Sequence, residues 1–380
     1  MRILLITEFF PTGKDLRFSG GVEARTFFVA KHLCQKHKIT VLASRTIGTP
    51  TKERIFGFDV YRVGPPRDYT ASVGHLISRL IFVKNAIKFA NGLDLDIVDG
   101  GNYIAHFIAK RIAKAKKIPA VAWYPDVWLG EWFRNAGIYG IFGEILERYN
   151  LRSNFNSYIA ISQQTAKKLN RFVKKKTKII YCGVDKNEFV GNVKKFKDPT
   201  IICVSRLAKY KNIKTLILAF AHLQLTVKNA NLIIVGSGPE ENNLKDLVKS
   251  LKISKSVKFL SNLPRKELVN LYKSSHIFSL PSIVEGFGIA TIEAAAAGLP
   301  YVNSNIPIQK EITKNGQGGF LVEPSSALSY SQKLHLLIKN KSLYNQKSKQ
   351  AQKLASLYSW SNVAKDTESV YESLYAKNPQ

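Results

Sequence analysis

A chain of 380 residues is long enough for two domains of ordinary size, each with its own core. Hydrophobic residues make up 45% and charged residues 22%, a globular balance that excludes a disordered chain. Lys and Arg number 57 against 27 Asp and Glu, a formal net charge of +30 that favours polyanionic partners and says nothing about fold.

The chain opens on MRILLITEFFP, basic and then apolar. A secretory leader needs a longer apolar core and a small-residue cleavage site. Here the run ends at Ile6, Glu8 follows, and a strand over 3–9 explains the segment better. A helix is expected over 22–36 and strands over 38–43 and 58–63. Residues 72–90 carry Leu76, Ile77, Leu80, Ile81, Val83 and Ile87 with Arg79, Lys84 and Lys88. That is an amphipathic helix whose apolar face meets either a core or an anionic membrane. Strands follow at 96–99, 120–124, 157–162 and 178–182. Short apolar runs separated by helical stretches argue for parallel sheet covered on both faces.

The polar, lysine-rich stretch 188–199 breaks this rhythm. It restarts with strands at 201–204, 231–235, 257–260, 276–280, 301–303 and 319–322. Helices begin near Asn212, Pro239, Arg265, Phe287 and Pro307. The expected architecture is α/β: two Rossmann-like, doubly wound domains, at 1–190 and 199–358, with a final helix over 359–380. Ligands of such sheets sit beyond the carboxyl ends of the strands, so a substrate is expected in a cleft that the two domains face. No run of about 18 apolar residues occurs, so no membrane-spanning helix is expected. Cys34, Cys182 and Cys203 lack paired spacing and suit a reducing compartment.

Four segments that follow expected strands carry chemistry. Gly20 and Gly21 open the first helix, where free N–H groups and a partial positive charge suit a phosphate. Arg206 and Lys211 lie five positions apart in one loop and can converge on a diphosphate, as a bidentate fork and a point charge. The turn Gly236-Ser237-Gly238-Pro239 brings backbone near a base or ribose, or is a plain strand-to-helix turn. The most specific segment runs from Pro281 to Pro300. It holds Glu285 in a glycine-flanked loop, the Gly286-Phe287-Gly288-Ile289 helix start, and Glu293 nearly two turns on. A Glu among Ala, Ile and Leu needs hydroxyl or N–H partners, and ribose hydroxyls serve.

These motifs, with Ser162 and Gly183-Val184-Asp185, make the sequence similar to family 4 of the retaining glycosyltransferases over almost its whole length. The spacing of Glu285 and Glu293 is that family's signature. The resemblance implies the two-domain GT-B fold, with the last helix crossing back to the first domain. It implies that Gly20 and Gly21 line the cleft near the donor diphosphate and that Arg206 and Lys211 bind that diphosphate. Glu285 would contact the donor sugar and Glu293 the ribose hydroxyls, with backbone N–H groups at 287–289 completing the phosphate cradle. No metal and no cofactor is implied beyond the nucleoside diphosphate sugar itself. Asp94-Leu95-Asp96 is read as a turn. Two departures stand out: Pro125 occupies the place of the family's His beside Asp126, leaving Asp126 to position substrate, and Asn212 replaces the Gly after Lys211.

The expected activity is transfer of a hexose-type sugar from a nucleoside diphosphate sugar to an acceptor hydroxyl with retention. The acceptor is expected to be a glycan, with a lipid-linked one at the cytoplasmic membrane face favoured by the charge. Trp128, Trp132, Phe133, Tyr139 and Phe142 would line its groove. The protein is expected in the cytoplasm, with peripheral attachment to the inner membrane face. The alternatives are a nucleotide-sugar 2-epimerase, a catalytically impaired binding or regulatory member, and a nucleic-acid binder. No recognised nucleic-acid module or basic stripe interleaved with aromatics supports the last.

Overall fold

The apolar run after Arg2 forms β1 (Arg2–Ile6), with residues 3–6 fully buried at the centre of an eight-stranded sheet. The computed structural model describes residues 1–13, 16–18, 20–68, 76–133 and 137–377. Internal contacts divide the chain into two units, Met1–Cys182 with Trp360–Gln380, and Gly183–Ser359.

In the first unit β1 is followed by α1 (Gly21–Leu33), β2 (Lys38–Thr46), β3 (Lys52–Ile55), β4 (Phe58–Arg67), α2 (Leu76–Asn91) and β5 (Ile97–Gly100). Then come α3 (Tyr103–Lys116), β6 (Ala120–Tyr124), α4 (Gly140–Arg152), β7 (Ser157–Ala160), α5 (Gln163–Leu169) and β8 (Lys178–Ile179). The sheet order is β3-β4-β2-β1-β5-β6-β7-β8. All pairs are parallel except β3 with β4, an edge hairpin that the sequence reading missed. Its two-residue turn, Phe56-Gly57, has φ of 46° and 97°, as the twist of a tight hairpin requires. The first turn of the helix expected over 72–90 lies outside the described residues.

The chain leaves β1 toward β2 in one direction and steps from β4 through β5, β6 and β7 to β8 in the other. Right-handed crossovers therefore place α1 on one face of the sheet and α2 to α5 on the opposite face. Phe82, Ala86, Ile108, Ile112, Leu151 and Leu169 form one buried cluster with Leu4, Val98 and Ala122 of the strands.

The second unit runs β9 (Thr200–Val204), α6 (Ile213–Gln224), β10 (Asn231–Val235), α7 (Glu241–Ser250), β11 (Val257–Leu260), α8 (Arg265–Ser274) and β12 (Ile277–Leu280). It continues with α9 (Ile289–Ala296), β13 (Tyr301–Ser304), α10 (Pro307–Ile312), β14 (Gly319–Val322), α11 (Ala327–Lys339) and α12 (Lys341–Ala355). Its six strands are parallel in the order β11-β10-β9-β12-β13-β14. Residues 183–190, placed at the end of the first domain in the sequence reading, fall in this unit. The Val184 N–H donates to the Tyr358 carbonyl, and the Phe189 ring lies 6.3 Å from that of Tyr272.

The last helix, α13 (Trp360–Tyr375), belongs to the first unit and packs on α1. The Trp360 and Phe28 rings stack at 4.9 Å. Beneath them the buried Asp99 accepts from Arg25 Nη2 at 2.8 Å and from the Tyr371 hydroxyl. Arg25 also lies over the Trp123 ring, 5.2 Å from its centre. A charge so buried is tolerable only while paired. Asp99→Ala should therefore cost roughly 3–5 kcal/mol in urea denaturation by stranding Arg25, and Tyr371→Phe about 1 kcal/mol. Equal, small losses in both variants would refute the assigned roles.

Candidate functional site

β9 and β12 are hydrogen-bonded neighbours, but the chain leaves β9 toward β10 on one side and β12 toward β13 on the other. Loops beyond their carboxyl ends therefore diverge, which makes this the ligand-binding position of an open parallel sheet. Lys211 and Glu285 meet here, Nζ to Oε1 at 2.5 Å, with side chains 14% and 8% exposed. The Ser282 hydroxyl donates to the same carboxylate oxygen at 2.7 Å. Arg206 Nη1 reaches the Tyr210 hydroxyl at 3.4 Å from the same loop.

Asn212 fastens the two loops. Its Nδ2 donates to the carbonyls of Pro281 at 3.2 Å and Pro324 at 2.8 Å. Its φ is 53°, a left-handed conformation open to Gly and tolerated by Asn. Replacing the family's Gly thus keeps the turn and adds two bonds.

The glycines after β10 let backbone meet backbone. Gly236 has a φ of 147°, and a Cβ there would stand 1.9 Å from the Ser205 carbonyl oxygen. Gly238 has a φ of 156°, and its Cβ would stand 2.4 Å from the Leu207 oxygen. The Leu207 N–H donates to the Ser237 carbonyl at 2.9 Å, locking this turn onto the Arg206 loop. Gly288, with φ 89°, caps α9, which begins at Ile289, two residues later than expected. The Phe287 ring is buried against Tyr358 at 5.7 Å, so only its backbone can serve a ligand. Gly286 and Ile289 are half-buried beside it.

Glu293, with its side chain 12% exposed, does find hydroxyl and N–H partners, and they are protein groups. Arg265 Nη1 donates to Oε1 at 2.5 Å and the Tyr272 hydroxyl to Oε2 at 3.2 Å. The same guanidinium donates through Nε and Nη2 to Glu188 Oε2, at 3.1 and 2.6 Å. Burial works against a charged Arg265, but the two carboxylates more than offset it and its pKa is raised. Each Glu293 oxygen keeps a second lone-pair site for a further donor.

Gly20, Gly21 and Asp126 belong to the first unit. Gly20 is the residue before α1 and Gly21 its exposed first residue, with no side-chain cap on the N–H groups. Asp126 follows β6 and is buried. Burial pushes its carboxyl up, opposed by Lys168, whose Nζ lies 2.9 Å from Oδ1. Nearby, Glu147 of α4 is fully buried and accepts from Trp132 Nε1 at 2.6 Å and the Trp128 N–H at 3.1 Å. Burial raises its pKa from 4.5 to about 7. The aromatic segment divides accordingly: Trp132 is core, whereas Phe133, Tyr139 and Phe142 are exposed.

Sequence reasoning missed Arg265, Glu188, Tyr272, Lys168 and Glu147. All but Glu188 lie on helices among similar exposed residues, and their partners are remote in sequence. The one signal was that a Glu among Ala, Ile and Leu needs hydroxyl or N–H partners, and the sequence reading assigned these to ribose hydroxyls.

Two measurements follow. Arg265→Met leaves Glu188 and Glu293 facing each other and should cost roughly 3 kcal/mol in urea denaturation, with Arg265→Lys recovering part of it. Glu147 has a folded-state pKa above its ordinary 4.5, so its stabilising contribution is full below about 4.5 and is lost as pH rises through about 7. Wild type should lose on the order of 3 kcal/mol relative to Glu147→Gln across that window; a pH-independent difference would show that the carboxyl does not titrate there.

Comparison with known families identifies both halves of the chain. The glycosyltransferase family 4 model matches residues 19–188, and the glycosyl transferases group 1 model matches residues 184–354. An uncharacterized glycosyltransferase of Methanocaldococcus jannaschii is 27% identical, over 98% of each chain. Sucrose-phosphate synthase from Thermosynechococcus elongatus superposes with a TM-score of 0.85 at 18% identity, over 99% of this chain and 100% of that one. Anabaena HepE in complex with UDP-glucose superposes at 0.75 and 18% identity, over 98% and 100%. The chain belongs to the family 4, group 1 glycosyltransferases, with the two α/β units of the GT-B fold.

Proposed function

We propose that this glycosyltransferase moves a hexose-type sugar from a nucleoside diphosphate sugar to an acceptor hydroxyl, with retention and without a metal ion. The acceptor in this reading is a lipid-linked glycan at the cytoplasmic membrane face. The observation that carries the donor half is the Lys211–Glu285 pair at the β9–β12 divergence, with Arg206 in the same loop.

In the reaction, charge develops on the departing diphosphate. Arg206, Lys211 and the free N–H groups at the start of α9 are the preorganised donors for it, which is the largest expected catalytic contribution. Lys211 holds Glu285 in place for the donor sugar. Arg265 and Tyr272 hold Glu293 for the ribose hydroxyls. Gly20 and Gly21 offer the start of α1 to the diphosphate, and Asp126, held by Lys168, positions the acceptor. No covalent nucleophile is invoked: the leaving phosphate assists deprotonation of the acceptor hydroxyl on the same face.

Calorimetric titration with a panel of nucleoside diphosphate sugars, with chelator present, tests this reading. Micromolar binding of one donor is expected, about tenfold or more weaker in Glu293→Ala, whose lost hydroxyl contacts are charge-assisted. Arg206→Ala should lower kcat by about 10²–10³. A folded protein that binds no donor in the panel would sink the proposal.

A further inference from the structure

Helix α4 is inverted relative to a surface helix. Its inward face carries Glu147 and Asn150, fully buried, beside Gly140 and Leu151. Its outward face carries Ile141 at 45% exposure, Phe142 at 50%, Ile145 at 60% and Tyr149 at 42%. The turn before it adds Ile138 at 79% and Tyr139 at 63%. At 100° per residue, 141, 142, 145 and 149 form one continuous stripe. A contiguous apolar patch of this size on a folded chain marks a contact surface.

A second patch lies in the same helix layer. The exposed Leu76, Ile77, Leu80 and Ile81 begin α2, and α3 packs between α2 and α4. All three helices connect parallel strands, so they run antiparallel to the sheet and their N-terminal ends gather at its carboxyl edge. The two apolar patches are therefore at the same edge of the layer. Cations stand behind both: Lys84 and Lys88 on α2, Arg111 and Lys114 on α3, and Arg148 and Arg152 on α4 are exposed. From Ile77 to Lys84 and from Ile141 to Arg148 is seven residues, about 10 Å along a helix. Neither α2 nor α3 contains an acidic residue, and Glu144 of α4 is paired with Arg148 at 2.9 Å.

We propose that this edge of the α2–α3–α4 layer is a docking face for an anionic lipid bilayer, with the apolar tips inserted and the basic residues at the depth of the lipid phosphates. The spacing suits this: interfacial helices bury apolar side chains about 5–10 Å deep, and juxtaposed Lys and Arg gain from an anionic surface. A second copy of the chain fits worse, because a two-fold contact through these patches sets the same cations against one another. The inference rests on the reading of a membrane-held acceptor and names the surface that reaches it.

The test is co-sedimentation of the full chain with vesicles of phosphatidylcholine alone and with phosphatidylglycerol added. Three proteins are compared: wild type, the exposed triple variant Ile138→Ser, Ile141→Ser, Ile145→Ser, and the double variant Arg148→Gln, Arg152→Gln. Wild type should bind the anionic vesicles preferentially. The triple variant should bind about tenfold or more weakly, and the double variant should lose the preference for anionic lipid. Donor titration should be unchanged in both variants, so a failure of donor binding in wild type would count against the enzymatic reading alone. Wild type left in the supernatant with either vesicle would overturn the docking face. So would a wild-type dimer in sedimentation velocity that the triple variant abolishes while vesicle binding persists.

Discussion

The second unit depends on one close approach, that of the turn after β10 to the loop after β9. The Ser205 and Leu207 carbonyls occupy the space where Gly236 and Gly238 would carry side chains. Only glycine permits that backbone geometry at positive φ. Because the two loops lock together, Arg206 and Lys211 are carried on a segment whose backbone is fixed from both sides. The β9–β12 divergence then supplies the opening, and Asn212 ties its far wall at Pro281 and Pro324. Electrostatic catalysis requires donors that do not reorganise as charge develops, and this packing gives that property to a loop.

Net charge is the wrong scale on which to read this protein's chemistry. Each carboxylate of interest is held by its own cation: Glu285 by Lys211, Glu293 by Arg265, and Asp126 by Lys168. These pairs are largely buried, where solvent screens little and a missing partner is costly. The remaining lysines are mostly exposed and matter through the field they make together. The distinction separates the loops at the β9–β12 divergence, where charges are paired and oriented, from helices α2 and α3 of the first unit, whose exposed lysines and arginines share their helices with no acidic residue.

Much of the fold was legible because parallel strands buried on both faces read as short apolar runs, and the turn glycines follow them directly. The β3 strand was not legible: Lys-Glu-Arg-Ile is polar, and an edge strand needs only half a buried face. The division between units was misplaced for a similar reason, since Val184 and Phe189 are anchored by contacts that no local pattern announces. At the site, residues in loops with glycine neighbours were found, and those acting from helix surfaces were not. Glu293 shows the limit well. Its burial implied donors, and the donors proved to be Arg265 and Tyr272 of α8, which a spacing argument cannot reach. That finding also changes its meaning, because protein donors already fix both carboxylate oxygens.

The inversion of α4 has a single structural origin. The Trp132 indole lies so close to the helix that a Cβ on Gly143 would fall 2.3 Å from its ring, and a Cβ on Gly140 would fall 2.5 Å from the Trp132 carbonyl. Gly143 admits the ring and Gly140 the Trp132 backbone, and the ring's N–H then satisfies Glu147. The inward face is thereby spent on an indole and a carboxyl, so the helix has no core-facing place for its isoleucines and Phe142. Random drift would replace such exposed residues with polar ones at little cost to stability, since surface changes are usually small in effect. Their outward placement beside the exposed basic residues of α2, α3 and α4 is instead what an apolar, anionic surface would require, and it links the packing around Glu147 to the proposed docking face.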